Sequence, residues 1–493
     1  MPPKPKPKPK PKPNDKEVQV NNPAVDIASF PNITQSETSL ARFKDFILYG
    51  FNDTNNATGV AGASSYSGFS FSKDLGKNWT DGGSIPANPG GQNFGDPSLA
   101  VDRNGVFYYS QIGDELIGGR QEGVITVSTG TISPNKTITM NLPQVVGRGQ
   151  TPAASDPGNQ DKAWITVGPD ADNPGNEALY VVWTDFGPPN VGTKIRFSKF
   201  GTGVTLTPII PSQTIVAGAN AVFGAFPVVD KAGNIYVFYE SRLPGTFAQL
   251  NTANRSIRMA KSIDGGNTFP INVQVSAGLF AAAATDVVPC GPANELRPVI
   301  LTEQQRVIRM FEIPQAGIGP DGTIYVVWNQ RRNIGGTIFI DVFLAYSQNG
   351  GNNWTQVNIS NNLPLSFFPS VAVNKEGAHV QYNRFNDPNN VGGIGNGTFG
   401  VFMKTFSFHK GVGKVGKESM VSTAFSQVPN NHIPSGGVFV NFDPRVFSCY
   451  MGEYNQVITG PGHSLLHAWG DNRNILNGQN NPDVFFRKTE SKP

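Results

Sequence analysis

The sequence predicts an all-β chain built from a repeated unit of short strands. Helical patterning is scarce among its 493 residues, and short runs of β-forming residues are separated by Gly, Asn and Pro. Two kinds of segment recur along the chain, one typical of a hairpin turn and the other of a pair of strands. The length exceeds that of an average domain, but repetitive all-β folds reach it as one unit.

The recurring turn begins with Ser, has Asp or Asn two residues later, then Gly, and ends on an aromatic residue. Its copies are Ser72–Trp79, Ser262–Phe269 and Ser347–Trp354. An Asp or Asn side chain can accept hydrogen bonds from backbone N–H groups further along a turn, and Gly supplies a positive φ. The aromatic residue is expected to fold back against a sheet. These side chains, Asp74, Asp264 and Asn349 included, therefore have a structural role in this interpretation.

The second segment is an apolar strand with an Asp or Asn, a turn containing Gly, and an aromatic-rich strand. Clear copies are Pro97–Tyr109, Pro227–Tyr239, Gly319–Trp328 and Pro369–Tyr382, and weaker ones are Ala163–Trp183 and Gly452–Trp469. Each predicts an inner hairpin, with the turn motif closing the two outer strands of the same unit. An opening unit from Glu37 to Trp79 brings the count to seven.

The turn motif resembles the Asp box of the sialidase and BNR-repeat β-propellers. The resemblance implies a single β-propeller over residues 30–490, for which the repeats favour seven blades, with six as the alternative. Residues 1–29 are expected to be a disordered Pro/Lys-rich tail and linker. The strand Asp483–Arg487 is expected to close the ring beside Asp45–Tyr49, which would remove exposed sheet edges.

In a blade of this kind the ends of the second strands lie on the face that binds ligands in the family. This position holds a set of charged residues: Asp185, Glu240, Arg242, Arg331, Arg384, Asp471 and Arg473. Arginine forks bind planar carboxylates with two parallel hydrogen bonds, so these residues form a candidate site for an anionic ligand. The alternative is that local pairs such as Glu240 with Arg242 stiffen the loops.

The candidate catalytic residues are Asp96, Glu453 and Tyr454, near the starts of first strands. Glycosidases use two carboxyl groups that flank the scissile bond, and sialidases add a Tyr nucleophile. The family's early Arg-Ile-Pro motif is missing, and Glu312–Pro314 is the nearest string. If the chain is an enzyme, the resemblance implies a glycoside hydrolase of the exo-sialidase type.

No cofactor or metal centre is predicted. Asp170–Gly175 begins like a calcium-binding loop but lacks the closing Glu, so it is better interpreted as a long turn, with calcium a weaker alternative. Cys290 and Cys449 are the only cysteines and are able to pair.

Net charge is +3, and a Pro-Lys alternation up to Pro13 supplies part of it. A near-neutral body argues against nucleic acid as the main partner. The basic tail is expected to be either a solubilising leader or spacer or an attachment to an anionic surface polymer. No apolar stretch has the form of a signal peptide or the length of a membrane span.

The sequence therefore predicts an extracellular protein, or one at a cell or spore surface, that binds or hydrolyses a glycan. The alternative is a non-catalytic structural or protein-binding propeller.

Overall fold

The computed structural model describes residues 16–149, 159–187, 192–244, 249–290, 295–361, 364–387, 397–431 and 443–491. The Pro-Lys alternation lies outside these residues. The described chain contains 34 strands and one short helix, so the all-β prediction is confirmed. In this part of the chain no helix has the length and apolar character needed to cross a membrane.

The strands form antiparallel sheets in chain order, and seven sheets of the described chain have four or more strands. Strand β1 (Val18–Gln19) and helix α1 (Pro23–Ser29) come first. Sheet 1 contains β2 (Gln35–Phe43), β3 (Phe46–Asp53), β4 (Ser67–Ser72) and β5 (Thr80–Ser84). Sheet 2 contains β6 (Asn93–Val101), β7 (Val106–Ile117), β8 (Arg120–Ile132), β9 (Ile138–Met140) and β10 (Gln144–Arg148). Sheet 3 contains β11 (Gln160–Pro169), β12 (Glu177–Asp185), β13 (Lys194–Gly201) and β14 (Thr207–Val216).

Sheet 4 contains β15 (Ala221–Val229), β16 (Ile235–Arg242), β17 (Arg255–Ser262) and β18 (Ile271–Gln274). An insert sheet of β19 (Asp286–Cys290), β20 (Glu295–Leu301) and β21 (Val307–Arg309) follows. Sheet 5 contains β22 (Gln315–Ile318), β23 (Ile324–Ile334), β24 (Thr337–Ser347) and β25 (Thr355–Asn358). Sheet 6 contains β26 (Ser366–Asn374), β27 (Gly377–Phe385), β28 (Thr398–His409), β29 (Val412–Val415), β30 (Ser419–Met420) and β31 (Ser426–Gln427). Sheet 7 contains β32 (Gln456–Thr459), β33 (Ser464–Leu476) and β34 (Gln479–Glu490), with β1 added at its outer edge.

Neighbouring sheets are joined through their first strands, as in a propeller. Serine hydroxyls on one first strand accept hydrogen bonds from backbone N–H groups of the next. The pairs are Leu99 N to Ser39 Oγ, Ile165 N to Ser98 Oγ and Val457 N to Ser370 Oγ, each at 3.0 Å. Each second strand contributes large apolar side chains to the core, and Trp183, Trp328 and Trp469 are fully buried.

The recurring turns join the third and fourth strands of sheets 1, 4 and 5, as predicted. In the turn of sheet 4, Ser262 Oγ donates to Asp264 Oδ1 at 2.7 Å and accepts from Gly266 N at 2.9 Å. The other two turns repeat this arrangement around Ser72 and Ser347. The aromatic residue packs on the preceding sheet, since the rings of Phe269 and Phe197 lie 5.0 Å apart. The turn therefore joins two sheets as well as two strands.

The closing sheet differs from the expectation. Strand β34 pairs with β33 and with β1, whose residues fall in the segment expected to be a linker. Strand β3 does not pair with β34, although Tyr49 donates a hydrogen bond to the Phe485 carbonyl at 2.9 Å. Helix α1 begins at Asn22, whose side chain accepts from Ala24 N at 3.1 Å. The N-terminal and C-terminal strands thus share one sheet.

The insert sheet is tied to the start of sheet 7. Cys290 and Cys449 form a disulfide with a Cα–Cα distance of 5.7 Å. Asn431 accepts from Val307 N at 3.1 Å and donates to the Val307 carbonyl at 2.8 Å. These links fix the end of β21 close to Tyr450, where the candidate site lies.

Candidate functional site

The first strands of sheets 1, 2 and 3 each contain a β-bulge at the same level. The bulge residues are Glu37, Asp96 and Lys162, with φ of 53°, 58° and 49°. A left-handed conformation is uncommon outside Gly, and a bulge re-aims the side chain of its extra residue. Successive first strands therefore direct three charged side chains to one place.

These side chains form the axial cluster, defined here as Glu37, Asp96, Lys162, Glu453 and Arg309. Lys162 Nζ lies 2.9 Å from Asp96 Oδ2, 2.9 Å from Glu453 Oε2 and 3.3 Å from Glu37 Oε1. The lysine is 9% exposed and Glu37 is 1% exposed. Because little water reaches these side chains, the Coulomb attraction between them is strong. The four groups therefore stabilise one another only while all of them are present.

Arg309, at the end of the insert sheet, adds a second cation. Its guanidinium pairs with Glu453 and lies over the rings of Phe311 and Tyr450, at 5.4 and 5.8 Å. The Tyr450 hydroxyl accepts a hydrogen bond from Asn52 Nδ2 at 2.6 Å and is 2.8 Å from Ser36 Oγ. The insert sheet therefore covers the cluster and contributes to its charge.

The carboxyl groups of this region differ in proton affinity. Burial raises the pKa of Glu37 well above its usual range, and the negative charge of Asp96 adds to the rise. Burial also raises the pKa of Asp161, next to Lys162, to about 7. Burial acts in the same direction on Asp96, but the Lys162 ammonium and hydrogen bonds outweigh it and lower the pKa. The surroundings therefore shift the pKa values of two neighbouring carboxyl groups in opposite directions.

Of the predicted catalytic residues, Asp96 and Glu453 come together on the same lysine. Tyr454 lies beside them and is held by core contacts. Its hydroxyl donates to the Pro97 carbonyl at 3.0 Å, and its ring packs on Trp164 with centroids 5.3 Å apart. Burial raises its pKa well above the usual range, so the phenol stays neutral. A nucleophilic phenolate is not prepared at this position.

The predicted arginines are held by separate partners and do not form a shared clamp. Arg242 Nε donates to Glu240 at 2.6 Å, and Arg384 pairs with Glu418 at 3.1 Å. Arg331 Nη1 donates to the Leu250 carbonyl at 3.1 Å.

The last predicted arginine, Arg473, pairs with Asp471 and with Glu17. Asp185 accepts from Gln160 Nε2 at 2.9 Å. The local pairs of Glu240 with Arg242 and Asp471 with Arg473 are present, as the alternative interpretation expected, and a shared anion site built from the whole set stays a prediction.

A second buried ion cluster joins sheet 4 to the insert. Arg255 Nε lies 3.3 Å from Glu240 and 3.2 Å from Glu312, and the side chains of all three are at most 2% exposed. Burial raises the pKa of Glu312 to about 7, with the nearby charge of Glu240 adding to the effect. From the sequence, Glu312 was noted only as part of Glu312–Pro314, the segment most similar to the missing Arg-Ile-Pro motif.

A lysine occupies the loop considered for calcium. Lys199 Nζ lies 2.7 Å from both Asp170 Oδ1 and Asp172 Oδ2. Across the described ranges, no group of three or more His, Cys, Asp or Glu side chains is arranged to hold a metal ion. The ammonium supplies the positive charge that these carboxylates need.

The axial cluster opens onto little free space. A cavity of about 10 Å³ beside Glu453 and Tyr454 is also lined by Gln315, Asn329 and Phe368. This volume is enough for about one water molecule.

Comparison with known proteins finds similar structures only at low sequence identity. No protein-family model matches the chain, and no curated protein matches it. Among solved structures, a Dyadobacter fermentans protein of unknown function is 12% identical and covers 97% of this chain and 98% of its own, with a TM-score of 0.43. The intramolecular trans-sialidase of Ruminococcus gnavus is 12% identical over 93% of this chain and 95% of its own, with a TM-score of 0.42. The Penicillium chrysogenum alpha-L-arabinanase is 11% identical over 80% and 98%, with a TM-score of 0.42. Likenesses of this size do not identify a function.

Proposed function

We propose that the chain is a seven-bladed Asp-box β-propeller whose axial cluster binds a neutral glycan and supplies the acid and base for its hydrolysis. The observation that carries this proposal is the convergence of Glu37 and Asp96 on one buried lysine, in surroundings that raise the pKa of the first and lower that of the second. Glycoside hydrolysis requires one protonated and one ionised carboxyl group. Surroundings that move two carboxyl pKa values apart provide this difference. Glu37 is the acid and Asp96 the base or nucleophile.

The charge of the site supports a neutral ligand. Four carboxyl groups, those of Glu37, Asp96, Asp161 and Glu453, surround two cations, Lys162 and Arg309. Both cations are engaged by carboxylates, which leaves neither available to a sugar carboxylate. This proposal therefore departs from the exo-sialidase type that the sequence implied, because a sugar carboxylate would need an unpaired cation.

A cell or spore surface remains our proposal for location. Disulfides persist in oxidising compartments, and the Cys290–Cys449 bond is consistent with such a site. Protease treatment of intact cells tests it, because a surface protein is degraded and an internal one is not.

The test is hydrolysis of fluorogenic substrates that include an α-sialoside, a uronide and neutral pentosides and hexosides. Wild type is compared with Glu37→Gln, Asp96→Asn and the control Asp102→Asn, a buried aspartate in the turn between β6 and β7. We expect turnover of a neutral substrate that falls by roughly 10²–10⁴ in the first two variants and persists in the control. Turnover of the sialoside alone would overturn the neutral-glycan assignment.

A second candidate is favoured by the small cavity. A cluster that is nearly closed to solvent is also what a non-catalytic structural or protein-binding propeller would use to fasten its sheets. Failure to hydrolyse every substrate, together with failure to bind any glycan on an array, would support this candidate and end the first.

A further inference from the structure

A second group of buried carboxyls lies where the N-terminal segment meets the closing sheet. Asp26, in α1, and Asp483, in β34, are 1% and 0% exposed. Asn21 Nδ2 donates to Asp26 Oδ2 at 2.9 Å and to Asp483 Oδ1 at 2.8 Å. Asn481 Nδ2 bridges the same two oxygens at 3.3 and 3.1 Å. The two carboxyl groups are therefore held next to each other by the same pair of amides.

The groups around this pair are amides and further acids. Gln35 Nε2 donates to Asp26 Oδ1 at 2.9 Å and to Asp53 at 3.1 Å, and Asn474 donates to Asp483 at 2.7 Å. The charged groups nearby are Asp53 and Asp81 from sheet 1 and the ion pair of Glu17 with Arg473. Arg473 is occupied by Glu17 and Asp471. Two buried carboxylates that share the same amide donors cannot both ionise without a compensating charge.

We propose that Asp26 and Asp483 share one proton, and that this proton latches the N-terminal segment onto the closing sheet. When the proton leaves to solvent, two buried negative charges repel each other between α1 and β34. The segment from Lys16 to Ser29 then opens from sheet 7, while sheets 1 to 6 keep their own hydrogen bonds. Acidification closes the latch, and alkali opens it.

The direction of the pH effect follows from the environment. Burial raises the pKa of Asp483 to about 7 and that of Asp26 above its usual range. A carboxyl group with a raised pKa in the folded state binds more protons folded than unfolded. Its stabilisation is complete below the unfolded pKa, near 4, and is lost as the pH rises through about 7.

Hydrogen exchange of the full chain tests the latch, read by mass spectrometry on peptides covering residues 16–30 and 479–490. The reporter is the Val20 amide, which donates to the Val484 carbonyl at 2.9 Å. After correction for the intrinsic exchange rate, we expect protection of these peptides to fall about tenfold or more between pH 5.5 and 8.5. Peptides from sheet 6, where the pKa of His379 is lowered to about 4, should not change.

The variants are Asp26→Asn and Asp483→Asn, with Asp102→Asn as the matched buried control. The asparagine side chain in each variant can donate an N–H hydrogen bond to the remaining carboxylate at every pH, without a titratable proton. Each variant should therefore lose the pH dependence of protection, while the control keeps it. Wild-type protection that is the same at both pH values would overturn the proposal, and so would pH dependence retained in both variants. The wild-type profile decides the question even if a variant fails to fold.

Discussion

Lys162 and Asp96 occupy the β-bulges of neighbouring first strands, and their Nζ and Oδ2 atoms lie 2.9 Å apart. The same ammonium holds Glu37 and Glu453, so one cation joins sheets 1, 2, 3 and 7. Both bulge residues have a positive φ, which costs on the order of 1–3 kcal/mol each in backbone conformation. Backbone strain at bulges of successive strands, with the side chains of the bulge residues converging on one point, is typical of a functional site.

Replacement of the lysine should destabilise the fold strongly. Lys162→Met keeps the length of the side chain but leaves Glu37, Asp96 and Glu453 without their shared cation. Removing one partner from a buried ion cluster costs about 3–5 kcal/mol, so we expect a loss of that size in the free energy of unfolding in urea. The control is Lys375→Met, whose side chain is 70% exposed and should change stability by about 0.5 kcal/mol or less. Equal effects of the two variants would contradict the structure.

The proton affinity of Asp161 predicts a pH dependence of stability. Its pKa is raised by burial to about 7 in the folded protein, whereas an unfolded aspartate titrates near 4. Stabilisation from its protonated form is therefore complete below about pH 4 and is lost as the pH rises through about 7. Asp161→Asn removes this titration, so the variant should lose less stability than wild type between pH 5 and 8. Parallel profiles from denaturant unfolding at each pH would refute the expectation.

Sequence reasoning found the parts of the site that repeat and missed the parts that do not. Asp96 and Glu453 follow Gly at the start of first strands, and their position in the unit placed them near the axis. Glu37 and Lys162 occupy the same place, but no Gly or Pro marks their bulges. Arg309 could not be found from the sequence, because the insert sheet interrupts the repeat and a disulfide fixes its position.

The arginines show the opposite failure, because equivalent positions in the unit do not imply a shared ligand. Arg242 and Arg473 each have a carboxylate two residues away in sequence, and this local partner is the stronger influence. Recurrence along the chain predicted the hairpins and turns well, since it reflects local hydrogen bonding. It predicted poorly which side chains come together at one site, because their meeting depends on loops that differ between sheets.

The turn glycines should be essential where a sheet packs on them. Gly266 has φ of +100°, and a Cβ added there would lie 2.7 Å from the Phe197 ring. Gly175 has a similar φ of +95° but nothing within 4 Å of such a Cβ. Gly175→Ala therefore measures the backbone cost alone, about 1 kcal/mol, and Gly266→Ala adds the steric conflict between sheets 4 and 3. We expect Gly266→Ala to cost at least 1 kcal/mol more by chemical denaturation; equal losses would mean that the turn does not join the sheets.

Removal of the disulfide should loosen the insert sheet and, through it, the cover of the axial cluster. The Cys290–Cys449 bond closes a loop with a sequence separation of 159, and losing such a bond typically costs about 2–5 kcal/mol. The double variant Cys290→Ser/Cys449→Ser should therefore unfold at lower denaturant. Its hydrogen exchange should be faster in residues 286–309, because Arg309 and Tyr450 lose their common anchor.

Wild type with reductant should behave like the variant, while reductant added to the variant should have no effect. This control separates the effect of the bond from the effect of the substitutions. If exchange in residues 286–309 were unchanged, the hydrogen bonds of Asn431 to Val307 would be sufficient to hold the insert.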